Sequence, residues 1–141
     1  MMMERDEIMR LIPHRPPFLW IDRVEELEPG KHCVAVKFVD PAEAFFAGHF
    51  PARPILPGAL LIEAVAQTAG VMLGAATQNS GGVGLLGAVN RFRFLKPVTP
   101  GQWLRIETRT LTNIGAMACI AGMVTVDGES VATGELSVVA G

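Results

Sequence analysis

The sequence predicts an α+β domain in which a long antiparallel sheet wraps one buried helix, and three features carry that prediction. From Gly58 to Ala76 nearly every residue is apolar (GALLIEAVAQTAGVMLGAA), as in a helix with no solvated face. From residue 83 onward the pattern is that of strands, punctuated by turn signals at Pro100-Gly101 and Asp127-Gly128. No repeat, low-complexity tract or linker-like stretch interrupts the 141 residues, so a single domain is expected over 1–141.

Taken in order, residues 3–11 read as a short helix, after which Pro13, Pro16 and Pro17 prevent its continuation. Residues 18–28 read as a strand that reaches the turn at Pro29-Gly30. Residues 32–39 alternate, with Val34, Val36 and Phe38 on one side and Ala35 and Lys37 on the other, which predicts a half-buried strand. Residues 40–57 hold four prolines and are expected to form a structured loop rather than a regular element. The apolar helix should run from about Pro57, a residue tolerated at helix starts, to about Gln78, where Asn79-Ser80-Gly81-Gly82 ends it. Strands are expected over 83–95, 103–113, 116–126 and 129–139. A helix apolar on all sides has to be enclosed, so the sheet should curl around it. That is the shape of the hotdog fold, which periodicity alone does not single out.

With 12 basic against 14 acidic residues the net charge is −2, which argues against wholesale attraction to nucleic acid or to a membrane surface. Half the residues are apolar, rich for a domain of this size, and part of that surplus is expected in a subunit interface. Cys33 and Cys119 are too few for a disulfide framework and read as buried thiols. The opening MMMERDEIMRLI lacks a long apolar run and does not read as a secretory signal, so a cytoplasmic setting is expected. The helix from Gly58 approaches bilayer-spanning length, but Glu63 and Gln67 lie near its middle. A carboxylate there costs about 3 kcal/mol on insertion scales, so no membrane insertion is expected.

The chemistry concentrates in Gly48–Gln67, GHFPARPILPGALLIEAVAQ. His49 stands in a loop framed by apolar residues, and Glu63 has Gln67, one turn on, as the polar neighbour on its helix face. Desolvation disfavours the charged form of each, leaving a neutral base and a protonated acid, the pair an elimination needs. Gly58 leaves the backbone N–H at the helix start open to a carbonyl oxygen that gains charge. On the residues alone the plainer readings stand beside this one. A lone histidine in such a loop is often structural, and a lone glutamate can simply face a neighbouring strand or subunit.

The same stretch resembles the signature of the FabZ/FabA family, the beta-hydroxyacyl-acyl carrier protein dehydratases of fatty-acid synthesis. Every fixed position of GHFPxxPxxPGxLxxExxAQ is present, with Glu63 matching the FabZ branch, where the FabA branch has Asp. IPHRPPFLWIDRV at 12–24 is similar to that branch's opening PHRxPFLLxDRV, and RFRFLKPVTPGQWL at 91–104 resembles its FRxPVxPGDxL. The resemblance implies the hotdog fold and dehydration of a beta-hydroxyacyl thioester carried by acyl carrier protein. His49 would take the alpha proton, Glu63 would protonate the departing hydroxyl, and the Gly58 amide would hold the thioester carbonyl. Phe50 and Pro51 would shape the pocket, and Gln67 would position Glu63. It also implies a homodimer in which His and Glu come from different subunits, alone or as a trimer of dimers. No cofactor is implied, and the three histidines show no metal-ligand spacing.

For the acyl chain, Ile62, Val65, Ala66, Phe92 and Phe94 are candidates that core packing would explain equally well. A basic rim for the acidic carrier is expected from Arg91 and Arg93, which share a strand face, with Lys96 and with Arg105 and Arg109 on the next strand. A solvated strand face explains those charges as readily. His14 and Arg15 read as structural, a hydrogen-bonded histidine pinning a proline-rich loop, and His32 as exposed. Ala52, Arg53, Val89-Asn90 and Gln102 depart from the family's usual residues, and the chain has no tyrosine. A thioesterase on the same fold would have no use for His49, and a silent acyl-binding scaffold should have lost His49 or Glu63. The Asp-x-Asn-Pro-x-His run of MaoC-type hydratases does not occur.

Overall fold

The computed structural model describes residues 2–77 and 84–140. In chain order they form α1 (Arg5–Leu11), β1 (Arg23–Glu28), β2 (His32–Phe38), α2 (Phe45–His49), α3 (Gly58–Thr77), β3 (Gly84–Phe94), β4 (Trp103–Ile114), β5 (Met117–Val126) and β6 (Glu129–Ala140). The strands make one antiparallel sheet in the order β1-β2-β4-β5-β6-β3. Helix α3 packs on β2, β4, β5 and β3 from one side, and α1 packs on α3. This is the hotdog arrangement. The expected helix end at Gln78, the 79–82 breaker and the strand start at 83 lie outside the described residues.

Alternation places the core. Leu104, Ile106 and Thr108 of β4 turn inward, in line with Ile120, Gly122 and Val124 of β5 and Ala132, Gly134 and Leu136 of β6. Helix and sheet approach closely at Gly122, where a Cβ would lie 2.4 Å from Val65 Cγ1. The apolar length of α3 therefore packs inside the fold, with residues such as Leu61, Ala64, Val65 and Met72 fully or nearly buried.

Strand β2 departs from its expected half-burial. Cys33, Ala35 and Lys37 pair with Thr108, Ile106 and Leu104, which puts them on the helix side. Val34 and Val36, opposite Glu107 and Arg105, are buried as well. Lys37 is tolerated inside because its ammonium lies 3.5 Å from Asp22 Oδ1 and 4.3 Å over the Trp20 ring. Burial pushes the Cys33 thiol up to about 12, so it stays protonated. Cys119 is half-buried rather than buried, with Sγ 3.7 Å from Ser137 Oγ.

Two further expectations need correction. The first strand begins at Arg23, not at 18, because the backbone of 18–20 bonds to a helix side chain instead of a strand. Gln67 Oε1 accepts from the Trp20 N–H at 2.8 Å, and Gln67 Nε2 donates to the Phe18 carbonyl at 2.9 Å. The stretch 40–57 is not wholly irregular either. Its prolines leave 42–50 uninterrupted, and there α2 forms one short helix anchored by buried Phe46.

Candidate active site

Helix α2 delivers His49 at its last position. The Nδ1 atom lies 2.9 Å from the Ile55 carbonyl oxygen, which can only accept. An N–H therefore sits on Nδ1, and in the neutral ring Nε2 then carries the lone pair that a general base needs. The Phe50 ring lies 4.2 Å from the imidazole, and both Phe50 and Pro51 are exposed in the single chain.

Glu63 lies in the second turn of α3 with its side chain 22% exposed. Its Oε2 accepts from Gln67 Nε2 at 2.7 Å. Gln67 is 1% exposed and has no freedom to flip, since Trp20 N–H demands its oxygen and Phe18 its nitrogen. Glu63 thus has the expected neighbour in a forced orientation.

It also has one that sequence reasoning missed. His14 Nε2 lies 3.6 Å from Glu63 Oε2. The role of pinning the loop falls to Arg15 instead, whose guanidinium donates to the carbonyls of Met9, Ile12 and His14 at 2.9, 3.0 and 2.7 Å. The signal available was the match of Pro13-His14-Arg15 to the family opening. Nothing in the spacing ties position 14 to position 63.

His14 and Glu63 line one end of an apolar cavity of about 470 Å³, which runs along the α3 stripe Ala66, Gly70 and Leu73 towards β3 and β5. Of the acyl-chain candidates, Ala66 lines this cavity. Val65 packs on Gly122, Phe92 on Gly134, and Phe94 lies over the helix start, where a Cβ on Gly58 would meet its ring at 3.0 Å. Ile62 is partly buried against the core. His49 is not among the cavity-lining residues. Among the described residues neither a hydrogen bond nor an ion pair joins His49 to Glu63. One chain therefore places Glu63 at the cavity and His49 elsewhere.

The expected basic rim does not form one patch. Arg91, Arg93 and Lys96 belong to β3 and its end, whereas Arg105 and Arg109 lie on β4, with β5 and β6 between. Strands consecutive in sequence are not neighbours in this sheet. Arg91 lies 3.8 Å from Glu135, and Lys96 pairs with Glu129. Arg105 approaches Glu26 and Glu107 at 3.6 and 3.5 Å, and Arg109 approaches Glu107 at 4.0 Å. Arg93 is exposed. His32, expected to be exposed, has a side chain only 16% exposed and sits 2.5 Å from Glu107 Oε2. That hydrogen bond, with Arg105 and Arg109 nearby, holds the Glu107 carboxyl below the usual carboxylate range. Among the described residues, no group of three His, Cys, Asp or Glu side chains is placed to hold a metal ion.

Comparison with known proteins places the chain in a family and a fold. The FabZ 3-hydroxyacyl-[acyl-carrier-protein] dehydratase of Roseiflexus castenholzii is 47% identical over 135 residues, covering 96% of this chain and 94% of that protein. The FabZ dehydratase of Geotalea uraniireducens is 44% identical over 136 residues, covering 95% and 94%. Among solved structures, the dehydratase heterocomplex ApeI:P from Xenorhabdus doucetiae superposes with a TM-score of 0.77 at 22% identity, covering 94% of this chain and 89% of that one. A hypothetical thioesterase with coenzyme A from Streptococcus pneumoniae superposes at 0.65 and 14% identity, covering 84% of each. Those two likenesses establish the hotdog fold. The FabA-like domain model matches residues 12–135, and with relatives this similar over nearly its whole length the chain belongs to the FabA-like family.

Proposed function

We propose that this chain converts beta-hydroxyacyl-acyl carrier protein to the trans-2-enoyl thioester in fatty-acid synthesis, with His49 as general base and Glu63 as general acid. One observation carries the reading: a carboxyl oriented by Gln67 stands at the end of an apolar cavity of about 470 Å³. The identity with FabZ dehydratases supports it. The Nε2 lone pair of His49 takes the alpha proton, and the freed electron pair becomes the alpha–beta double bond. The beta C–O bond breaks, and the proton of Glu63 joins the leaving hydroxide to form water. Charge that develops on the thioester oxygen is met by the Gly58 N–H at the start of α3. The acyl chain lies along Ala66, Gly70 and Leu73, while Phe50 and Pro51 cover the base.

The catalytic unit in this reading is a homodimer, in which His49 of one subunit meets Glu63 of the other. Strand β3 supports it. It ends the sheet with one edge unpaired, and Leu85, Leu86, Val89 and Phe94 are exposed along it. A long apolar edge of that kind is a template for a second copy. Assembly into a trimer of dimers follows the family resemblance. The acidic carrier docks at Arg91, Arg93 and Lys96, beside that edge, with Arg105 and Arg109 a separate cationic group on the far side of the sheet. The enzyme works in the cytoplasm alongside its soluble carrier.

The test mixes purified protein with a beta-hydroxyacyl thioester and follows conjugated-thioester absorbance. His49→Ala and Glu63→Gln should each slow the reaction by at least about a hundredfold. Release of free thiol without enoyl product would refute the assignment.

A further inference from the structure

We propose that His14 is a positioning residue of the acid site: its Nε2–H is poised beside the same oxygen of Glu63 that the Gln67 amide holds, leaving the transferable proton on Oε1. The proposal rests on the reading of Glu63 as the general acid.

Three contacts define Gln67. Its oxygen is taken by Trp20 N–H at 2.8 Å, and its nitrogen donates to the Phe18 carbonyl at 2.9 Å and to Glu63 Oε2 at 2.7 Å. With Gln67 already donating to Oε2 and the His14 ring beside it, a hydroxyl hydrogen is better accommodated on Oε1, and the proton is placed there.

His14 reinforces that choice. Its Nδ1 is buried and has no hydrogen-bond partner among the described residues. A proton placed there would leave a buried donor unsatisfied, at about 1–3 kcal/mol. The neutral ring therefore carries its hydrogen on Nε2, the atom 3.6 Å from Glu63 Oε2 and a few tenths of an ångström outside hydrogen-bond distance. The ring is well held. Phe18 stacks on it with centroids 6.0 Å apart and planes 12° from parallel, and the Arg15 guanidinium clamps the loop. Two donors on Oε2 also receive the negative charge that Glu63 acquires when it gives up its proton.

Few other groups compete. Among the described residues, His14 and Glu63 are the only titratable side chains lining the cavity, and Glu63 is the only charged residue of α3. The stretch of α1 and its exit that faces the cavity contributes Leu11, Ile12 and Pro13 besides His14. In the proposed dimer, His49 of the other subunit is the remaining group that faces Glu63.

The test measures kcat against pH for the purified chain and for His14→Leu, His14→Gln and His14→Asn. Gln can place an N–H where Nε2 stood, whereas Asn places it where Nδ1 stood. Loss of the donor removes a contact that favours the ionised carboxyl, so the alkaline limb of the kcat profile should move up by at least about half a pH unit in Leu and Asn. Their kcat at neutral pH should fall at least about tenfold, with Gln within about threefold of the parent. If Leu does not fold, Asn against Gln carries the comparison. Unchanged kcat and limb overturn the proposal, as does a fall in kcat with an unmoved limb in Gln and Asn alike, which marks a structural role. Glu63→Gln run beside them separates the readings. If it stays active the acid assignment fails and this proposal with it; if it is inactive while the His14 variants behave as the parent, only this proposal fails.

Discussion

Replacing Gln67 by leucine should destabilise the fold far more than a surface change would. Leucine is close to glutamine in volume, so little cavity opens. The loss is in hydrogen bonds. Trp20 N–H and the Phe18 carbonyl would each lose a partner in a place where Gln67 itself is only 1% exposed. The buried Trp20 N–H left without a partner costs about 1–3 kcal/mol and the part-buried Phe18 carbonyl less, so Gln67→Leu should lose about 1.5–4 kcal/mol of a domain stability of about 5–15. Urea unfolding at fixed protein concentration reads this as a lowered midpoint at constant slope. A loss below about 1 kcal/mol would refute the idea that Gln67 joins helix α3 to the 18–20 segment. Gln67→Glu sharpens the test. It keeps an acceptor for Trp20 but sets a second carboxyl where a donor stood, 2.7 Å from Glu63 Oε2. Two carboxylates that close cannot both ionise, so the pair holds a proton in the folded state to higher pH than in the unfolded chain. A raised folded value means stability that is complete below the ordinary carboxylate range and is lost as pH rises. Relative to the parent, Gln67→Glu should therefore recover stability between about pH 8 and pH 5 on acidification. A gap that does not change with pH would refute the argument.

Glu107 should behave in the opposite sense. Its carboxyl is held low by the hydrogen bond to His32, so the stability it contributes is present above the usual carboxylate range and disappears as pH falls through its lowered value. Glu107→Gln should accordingly flatten the acid side of the stability–pH curve, measured by thermal unfolding from about pH 6 to pH 3. On the β3 edge, Val89→Arg puts a cation among Leu85, Leu86 and Phe94 and should give monomers by light scattering together with loss of dehydration; dimeric, active protein would remove β3 from the proposed interface.

Much of this molecule was legible in the chain because its strongest signals are local. Helix α3 stands out for being apolar on every side, and β4 to β6 alternate between marked turns, so their periodicity and their structure coincide. The failures share another cause: side chains that reach across sequence. Residues 18–22 carry a strand-like composition, yet Gln67 takes the backbone groups of Phe18 and Trp20. Lys37 reads as a solvent-facing residue until Asp22 and Trp20 are brought beside it. Arg93 and Arg105 read as neighbours because β3 and β4 are consecutive, but the sheet order separates them by two strands. His14 and Glu63 share no helix face or strand register, so no pattern search pairs them.

The same helix that closes the core also has to carry a carboxyl, and those demands conflict, since a buried acid needs partners that an apolar helix lacks. Here the conflict is resolved from outside α3. The loop after α1 supplies His14, and the 18–20 backbone fixes Gln67, which in turn fixes Glu63. That solution occupies the side of the helix facing the start of the chain, whereas the fold carries His49 on α2, away from the cavity. The cavity is therefore incomplete in one respect and open in another: it lacks His49, and its wall includes Leu86, which is 48% exposed on the free edge strand. Association of two chains along β3, as proposed, would cover that wall and bring a base to each acid in one event. Apolar exposure on β3 and separation of base from acid are then two aspects of one design, which is why a single charge at Val89 should abolish assembly and chemistry together.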